Sequence, residues 1–540
     1  MLSACGVQGS SLERGILRLA IALLAGFLLV AAALGYWQVL EAGALQARAN
    51  NPRNAEEEAR TTRGRILDRN GVVLASNAAG PDGPTREYAL PALVHVVGYH
   101  SARFGDAGIE AAYDQYLRGE RGGNPLARLR DHLLHRPAVG SDLRLTVDAE
   151  LSRVAAQALG NFAGAAVALN PRTGEVLAMV SAPYFDANQL ADRWDALRDD
   201  PAAPLVPRAT EGLYVPGSVF KIVTASAAID LNMVQVDAAH DCTTDLIVDG
   251  FRIQQKNHPQ LRRVTFAQDF AWSDNVTFAK TGLGLGTPGP INFDDAAPQP
   301  YPWERQGVDA SARRLVDYAH RFGFTQQIPF DLPVAVSRVA EHEQFSPVEL
   351  AVTAFGQGEI ETTPLLMALV GATIANGGAM PAPYLVSEIR GPNGSVERPH
   401  TPGGRLRQVI SPTAAATMNR LMVQSVDEGY ARPAQIAGIK VGGKTGTAET
   451  GQGRVPHSWF VGYAPADNPR VAVAVIAENQ GSGSDVATPA GRRIMEAALA
   501  RPAASAAPDP LPLASLTADS FAAPDDDGPA GAYCLLPQHG

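Results

Sequence analysis

A chain of 540 residues is well beyond one typical domain, so two or more are expected. Hydrophobic residues make up 46% and charged residues 19%, which suits a globular chain with a large core. The formal net charge of −10 and the lack of any Lys/Arg block argue against a nucleic-acid partner.

In chain order, "LSAC" at Leu2 to Cys5 has the form of a lipoprotein cleavage box, but no charged or apolar region precedes it, so chance is the better reading. Leu19 to Trp37, "LAIALLAGFLLVAAALGYW", carries no charge; as a helix rising about 1.5 Å per residue it would reach about 28 Å, close to a bilayer core. Arg14 and Arg18 precede it, which favours a cytoplasmic N-terminus, and Tyr36 and Trp37 stand where an interfacial aromatic belt would. The alternative is a signal peptide cleaved at Ala31-Ala32-Ala33; either way the remaining residues face outward, and the length and aromatic flank favour an uncleaved anchor.

The exported part opens with Thr61 to Asn77, read as strand, Asn70-Gly71 turn, strand. Gly105 to Gly119 reads as a short amphipathic helix. A new unit begins near Leu143 with a strand and a helix capped by Asp148, followed by a hairpin over Gly164 to Ser181 that turns at Asn170 to Gly174. Helical patterns then dominate to about residue 440. "IKVGGKTGTAE", "HSWFVGYAPA" and "RVAVAVIAEN" are strand-like, and Gly491 to Ala500 closes the unit as a helix. Beyond Arg501 the Pro, Ala, Ser and Asp content predicts a disordered tail. Strands at both ends and helices between them predict an α+β fold with one sheet covered on both faces.

The chemistry-bearing stretch is "YVPGSVFKIVTA", with Ser218 and Lys221 one helical turn apart behind Pro216-Gly217. Alone, Ser-x-x-Lys is weak, and a helix-capping serine with a solvated lysine is the bland alternative. Context adds weight: Phe220, Ile222 and Val223 bury the flank, the hydroxyl stands at a positive helix end, and a serine needs such a base to become a nucleophile. The lysine must be neutral at times, which burial and a neighbouring cation favour. Downstream lie "WSDN", giving Ser273, Asp274 and Asn275, and "GGKTGTAE", giving Lys444, Thr445, Gly446 and Thr447, with glycines that permit close backbone approach. Ser-x-x-Lys, Ser-Asp-Asn and Lys-Thr-Gly in this order form the trio of β-lactamases and penicillin-binding proteins.

With these motifs the chain resembles the class B penicillin-binding proteins, membrane-anchored peptidoglycan transpeptidases, and among them the small actinobacterial type A. "RGRILDRNGVVLA", "GIEAAYDQYLRG", "TVDAELSRVA", "AVALNPRTGEVLAMVSAPYFDAN", "PLVPRATEGLYVPGSVFK", "TPLLMALVGATIANGG", "KTGTAE" and "VAVAVIAENQ" carry the likeness from Thr61 to about Ala500. Pro207 stands where Asn is frequent in the family, Asp274 fills a variable position, Gly284 to Gly307 looks like an insertion just after the second motif, and the long acidic tail is not a family hallmark. The residues themselves predict a cytoplasmic 1–18, an anchor at 19–37 and a disordered tail at 501–540, and the resemblance implies a dimerisation-like module over 38–140 and the transpeptidase domain over 141–500. It also implies roles: Ser218 attacks the penultimate D-alanine carbonyl of a D-Ala-D-Ala stem peptide, Lys221 accepts its proton, Ser273 relays a proton to the leaving D-alanine, and Lys444 assists electrostatically. Asn275 holds Lys221 and the substrate amide, the Ser218 and Thr447 N–H groups form the oxyanion hole, and the Thr445 and Thr447 hydroxyls bind the terminal carboxylate, with Gly446 between them. An amine of a second stem peptide then takes the acyl group.

Two other readings stand beside this one. A β-lactamase or D,D-carboxypeptidase would be a hydrolase, but no Glu-x-x-Leu-Asn follows Ser273 to place a deacylating water. A non-catalytic β-lactam sensor would need several spans and a cytoplasmic output domain, where about eighteen residues precede the single span. The run Gly282, Gly284, Gly286 follows a helical pattern and reads as a loop; His95, His100 and His457 are isolated and read as structural or surface residues, Cys242 as inert, and no motif implies a metal or cofactor. The module before residue 140 is too short to polymerise glycan, so the implied partners are peptidoglycan stem peptides, β-lactams and a SEDS-type glycosyltransferase in the membrane.

Overall fold

The computed structural model describes residues 9–37, 61–80, 83–121, 134, 138–255, 261–294, 305–340, 345–451 and 453–501. The tail beyond residue 501 and much of the 284–307 segment lie outside the described residues. Two units are present, Met1–Thr61 and Thr62–Gly540. In the first, helix α1 (Gly9–Gly35) starts well before the expected apolar boundary. Its stretch Arg14–Gly35 is long and apolar enough to cross a membrane.

In the second unit, β1 (Ile66–Leu67) and β2 (Val73–Gly80) form the expected Asn70-Gly71 hairpin, and β3 (Gly83–Tyr88) pairs with β2. Asp68 stabilises this turn by accepting from the Asn70 and Val72 amides at 2.7 and 2.9 Å. The helix expected over 105–119 is instead broken into Gly108–Ala112 and Asp114–Leu117. The buried Arg63 crosses there and bonds Glu110 at 2.7 Å and Asp114 at 2.6 Å.

Strand β4 (Asp142–Leu145) leads into α2 (Ala149–Leu159), whose first turn is capped by the Asp148 carboxylate accepting from Leu151 N at 2.8 Å. Then come β5 (Gly164–Leu169) and β6 (Val176–Ala182), the expected second hairpin. Helices α3 (Lys221–Asp230), α4 (Phe266–Ala271), α5 (Asn275–Gly284) and α6 (Pro364–Ala375) follow. Strands β7 (Val386–Arg390) and β8 (Val396–Glu397), helix α7 (Pro412–Asp427), strands β9 (Gly442–Ala448), β10 (His457–Ala464) and β11 (Val471–Ala477), and helix α8 (Ala487–Leu499) complete the chain.

The main sheet has the order β9-β10-β11-β5-β6, antiparallel throughout, so its strands come from opposite ends of the unit as expected. Every residue of β11 is buried, because α6 packs on one face of the sheet while α2 and α8 pack on the other. Helix α6 is apolar all round and almost wholly buried, which marks a core helix. A second sheet, β8-β7-β4-β1-β2-β3, mixes strands from before and after residue 141. The middle of the chain is less helical than its patterns predict. It holds several strands of two to five residues, such as Asp245–Val248 with Phe251–Gln254, too short to leave a period-two signal.

Candidate active site

The site is built where the entry to α3 meets β9. Gly217 adopts φ +55°, and its N–H donates to Gly356 O at 2.9 Å. A Cβ there would stand 2.6 Å from Thr447 O, so only glycine lets this turn lie against the strand. Gly446 serves the same approach from the other side, since a Cβ on it would meet Val219 and the Pro216 carbonyl at 3.0 and 3.1 Å. Ser218 therefore sits beside Thr447. It lies in a short 3-10 turn, Gly217–Phe220, that lacks a side-chain cap bond, so the helix-cap alternative is not what this serine does.

Lys221 begins α3 and is fully buried. Its Nζ donates to Ser273 O at 2.7 Å, Ser273 Oγ at 3.2 Å and Asn275 Oδ1 at 2.7 Å. Three acceptor atoms from two residues of the Ser-Asp-Asn motif thus converge on the amine of the Ser-x-x-Lys motif. Burial pushes the Lys221 pKa down to about 7, against the opposing pull of Asp274 and Asp269. The turn that presents Ser273 is strained: Ser273 has φ +59° between α4 and α5. Asp274 pins it by capping α5 through Thr277 N at 2.7 Å, and Gln255 Oε1 accepts from Asn275 N at 3.0 Å.

Lys444 is also fully buried; its Nζ donates to Thr445 O at 3.1 Å and lies over the Phe270 ring at 5.7 Å, as Lys221 Nζ lies over Phe278 at 5.3 Å. Burial holds Lys444 well below the ordinary lysine range, and the charge of Lys221 lowers it further. The expected effect of a neighbouring cation thus falls on Lys444, while Lys221 is lowered by burial. Thr445 is buried; Thr447 is exposed, with its Oγ1 accepting from Gly483 N at 3.5 Å.

All eight expected residues fall in this region, in two groups joined by β9 and the turn at Ser218. Sequence reasoning did not single out Asp269, Phe270 and Phe278 around the lysines, nor Gln255, Gly356 and Gly483. Asp269, an acid inside the apolar helix α4, was the one readable signal. Its carboxylate accepts from Thr277 Oγ1 at 2.9 Å, and His240 Nε2 lies 3.0 Å from the same oxygen. His457, expected to be isolated, accepts from Asn479 N at 3.0 Å beside the site, while His95 is half-buried against Pro204 O and desolvation pushes its pKa down to about 4. Gly282 and Gly284 lie within α5 rather than in a loop; a Cβ on Gly282 would strike Ala354.

Comparison with known proteins matches this arrangement. Residues 164–496 match the family model described as penicillin binding protein transpeptidase domain. Residues 63–143 match the penicillin binding protein A dimerisation domain. The peptidoglycan D,D-transpeptidase PbpA of Mycolicibacterium smegmatis is 32% identical over 511 residues, covering 89% of this chain and 98% of that protein. The ceftriaxone acyl-enzyme complex of penicillin-binding protein A from Mycobacterium tuberculosis is 30% identical with a TM-score of 0.72, covering 82% of this chain and 100% of that one. A D,D-transpeptidase domain of a peptidoglycan glycosyltransferase from Eggerthella lenta is 33% identical with a TM-score of 0.70, covering 82% and 99%.

Proposed function

The chain belongs to the penicillin-binding protein transpeptidases, and from that membership we propose how its own residues carry out peptidoglycan crosslinking. It is a peptidoglycan D,D-transpeptidase that binds β-lactams. The reaction runs on Ser218 as nucleophile. Neutral Lys221 takes the hydroxyl proton as Ser218 Oγ bonds to the carbonyl carbon of the penultimate D-alanine. The oxyanion gathers on the backbone N–H groups of Ser218 and Thr447, which stand together because Gly217 lets the turn abut β9. Ser273, bonded to Lys221, returns the proton to the nitrogen of the departing D-alanine, and Asn275 holds the amine in line. An amine of a second stem peptide then attacks the acyl carbonyl and gives its proton to Lys221, which returns it to Ser218 Oγ as the ester bond breaks, so the new amide leaves and Ser218 is regenerated.

Thr445, Gly446 and Thr447 line the strand that receives the substrate carboxylate. Two buried lysines in one dry site resist carrying two charges, and an arriving carboxylate favours the charged form of Lys444. The substrate carboxylate thus favours a charged Lys444, while burial keeps Lys221 available as base. The helix Arg14–Gly35 supplies a single-pass anchor, with Arg14 and Arg18 keeping the N-terminus cytoplasmic. The crosslinked strands come from a separate membrane glycosyltransferase of the SEDS type, contacted through the anchor and the module that follows.

The observation that carries this reading is the convergence of Ser273 O, Ser273 Oγ and Asn275 Oδ1 on the buried amine of Lys221. Its test is acyl transfer from a D-Ala-D-Ala-type thioester to an added D-amino acid by the full chain in detergent. Transfer by the wild type and none by Lys221→Ala is expected; unimpaired transfer by Lys221→Ala would overturn the assignment.

A further inference from the structure

We propose that Glu478 is a positioning residue for acylation: it holds the approach to Ser218 in register with the strand that carries Thr447. This rests on Ser218 being the acylated residue.

Four residues before Ser218 the chain is pinned from several sides. Tyr214 exchanges backbone hydrogen bonds with Thr362, donating at 3.0 Å and accepting at 2.8 Å. The Val215 carbonyl accepts from Trp459 Nε1 at 3.1 Å. The Tyr214 ring meets His457 and Trp459 edge-on, with centroids 5.7 and 6.1 Å apart. Its hydroxyl donates to Glu478 Oε1 at 2.8 Å. Arg208 Nε donates to that same oxygen at 2.7 Å, and its other nitrogens donate to the Ala203 and Ala202 carbonyls at 2.8 and 2.7 Å. One carboxylate, just past the end of β11, thus ties the 202–208 loop and the approach to Ser218 to the main sheet.

Glu478 also opens the segment that reaches the other half of the site. Asn479 N donates to His457 Nδ1 at 3.0 Å, Gly481 N to Pro456 O at 2.8 Å, and Ser458 Oγ to Ser482 O at 3.0 Å. Gly483 N then donates to Thr447 Oγ1 at 3.5 Å. A string of bonded groups runs from Glu478 to Thr447, and a second runs from Glu478 through Tyr214 to Ser218. The two N–H groups that would stabilise the oxyanion lie at the far ends of these strings. Their spacing decides how well a developing oxyanion is held, and small displacements of such donors slow the chemical step more than binding.

An ion pair that merely supports the fold would also join Arg208 to Glu478. Tyr214→Phe separates the two cases, because it removes one hydroxyl and leaves the ion pair. Burial and Glu478 hold the phenol above its usual range, so it stays a donor.

The test is stopped-flow acylation of the full chain by a fluorescent penicillin, resolved into a saturation constant K and a limiting rate k2, with Tm measured in parallel. Tyr214→Phe and Glu478→Ala each lower k2 about tenfold while K stays within about twofold. The double variant is no slower than Glu478→Ala alone, because both act on one string. Glu478→Gln recovers to within about threefold, since its amide oxygen accepts both bonds. Wild-type k2 in Tyr214→Phe, additive losses, or a loss confined to the fraction of protein that acylates would each overturn the proposal. Digestion and mass mapping of the adduct separate it from its premise. An adduct away from Ser218 overturns the nucleophile assignment, whereas a Ser218 adduct with unchanged k2 overturns the role of Glu478.

Discussion

The pH dependence of acylation follows from the position of one buried amine. Lys221 accepts the serine proton only when neutral, and burial sets its pKa at about 7. A lysine lowered in this way gains its neutral form as pH rises, so the rate climbs from the acid side and levels off above neutrality. The neutral fraction is about one-eleventh at pH 6, about one-half at pH 7 and about ten-elevenths at pH 8. The second-order acylation rate therefore rises about fivefold from pH 6 to 7 and less than about twofold from pH 7 to 8. An ordinary lysine would give a rise of about a hundredfold over those two units, with no plateau until the rate had climbed far higher. Stopped-flow acylation by a fluorescent penicillin across pH 5.5 to 9.5 distinguishes these curves. Asp269→Asn adds a sign test. The Asp269 carboxylate favours the ammonium form of Lys221, so its neutralisation moves the acid limb to lower pH. A limb that keeps unit slope past about pH 9, or one that moves upward in Asp269→Asn, would refute the reasoning.

Asn275→Ala removes an acceptor 2.7 Å from the Lys221 amine and is expected to slow acylation about a hundredfold, with a far smaller change in Tm. An unchanged rate in the same acylation assay would contradict the assigned role. Arg63→Ala removes one of two ion-pair partners of the fully buried Glu110 and leaves Arg86 on it, so thermal unfolding should report a loss of about 1–3 kcal/mol. The acylation rate of the folded fraction should be unaffected, because this cluster belongs to the break between the two short helices at 108–117 and not to the site.

How much was legible beforehand depended on how local each signal was. The two hairpins, the Asp148 cap, the three terminal strands and the closing helix each leave a continuous pattern, and each formed as expected. The three motifs were legible because residue types alone carry their chemistry, and the fold brings their residues together. The helix over 105–119 was misread because its periodicity is real, while the break comes from Arg63, some fifty residues away in sequence. The short strands of the middle region were missed because two to five residues cannot establish an alternation. Phe270, Phe278, Gln255 and Gly356 were invisible as site residues for a different reason. Each acts through contact with another motif, and nothing in a linear pattern reports that Phe278 lies beneath Lys221 or that Gly356 receives the Gly217 amide.

The central claim, an acyl-enzyme on Ser218 that waits for an amine rather than water, is tested most directly by intact mass after penicillin exposure. One equivalent of penicillin is expected to add one adduct per chain, mapped to Ser218 and absent from Ser218→Ala, and to persist over hours. Hydrolysis would need a further base that holds a water against the ester, and no Glu-x-x-Leu-Asn follows Ser273 to supply one. Rapid multiple turnover of penicillin, or an adduct that survives Ser218→Ala, would contradict the account.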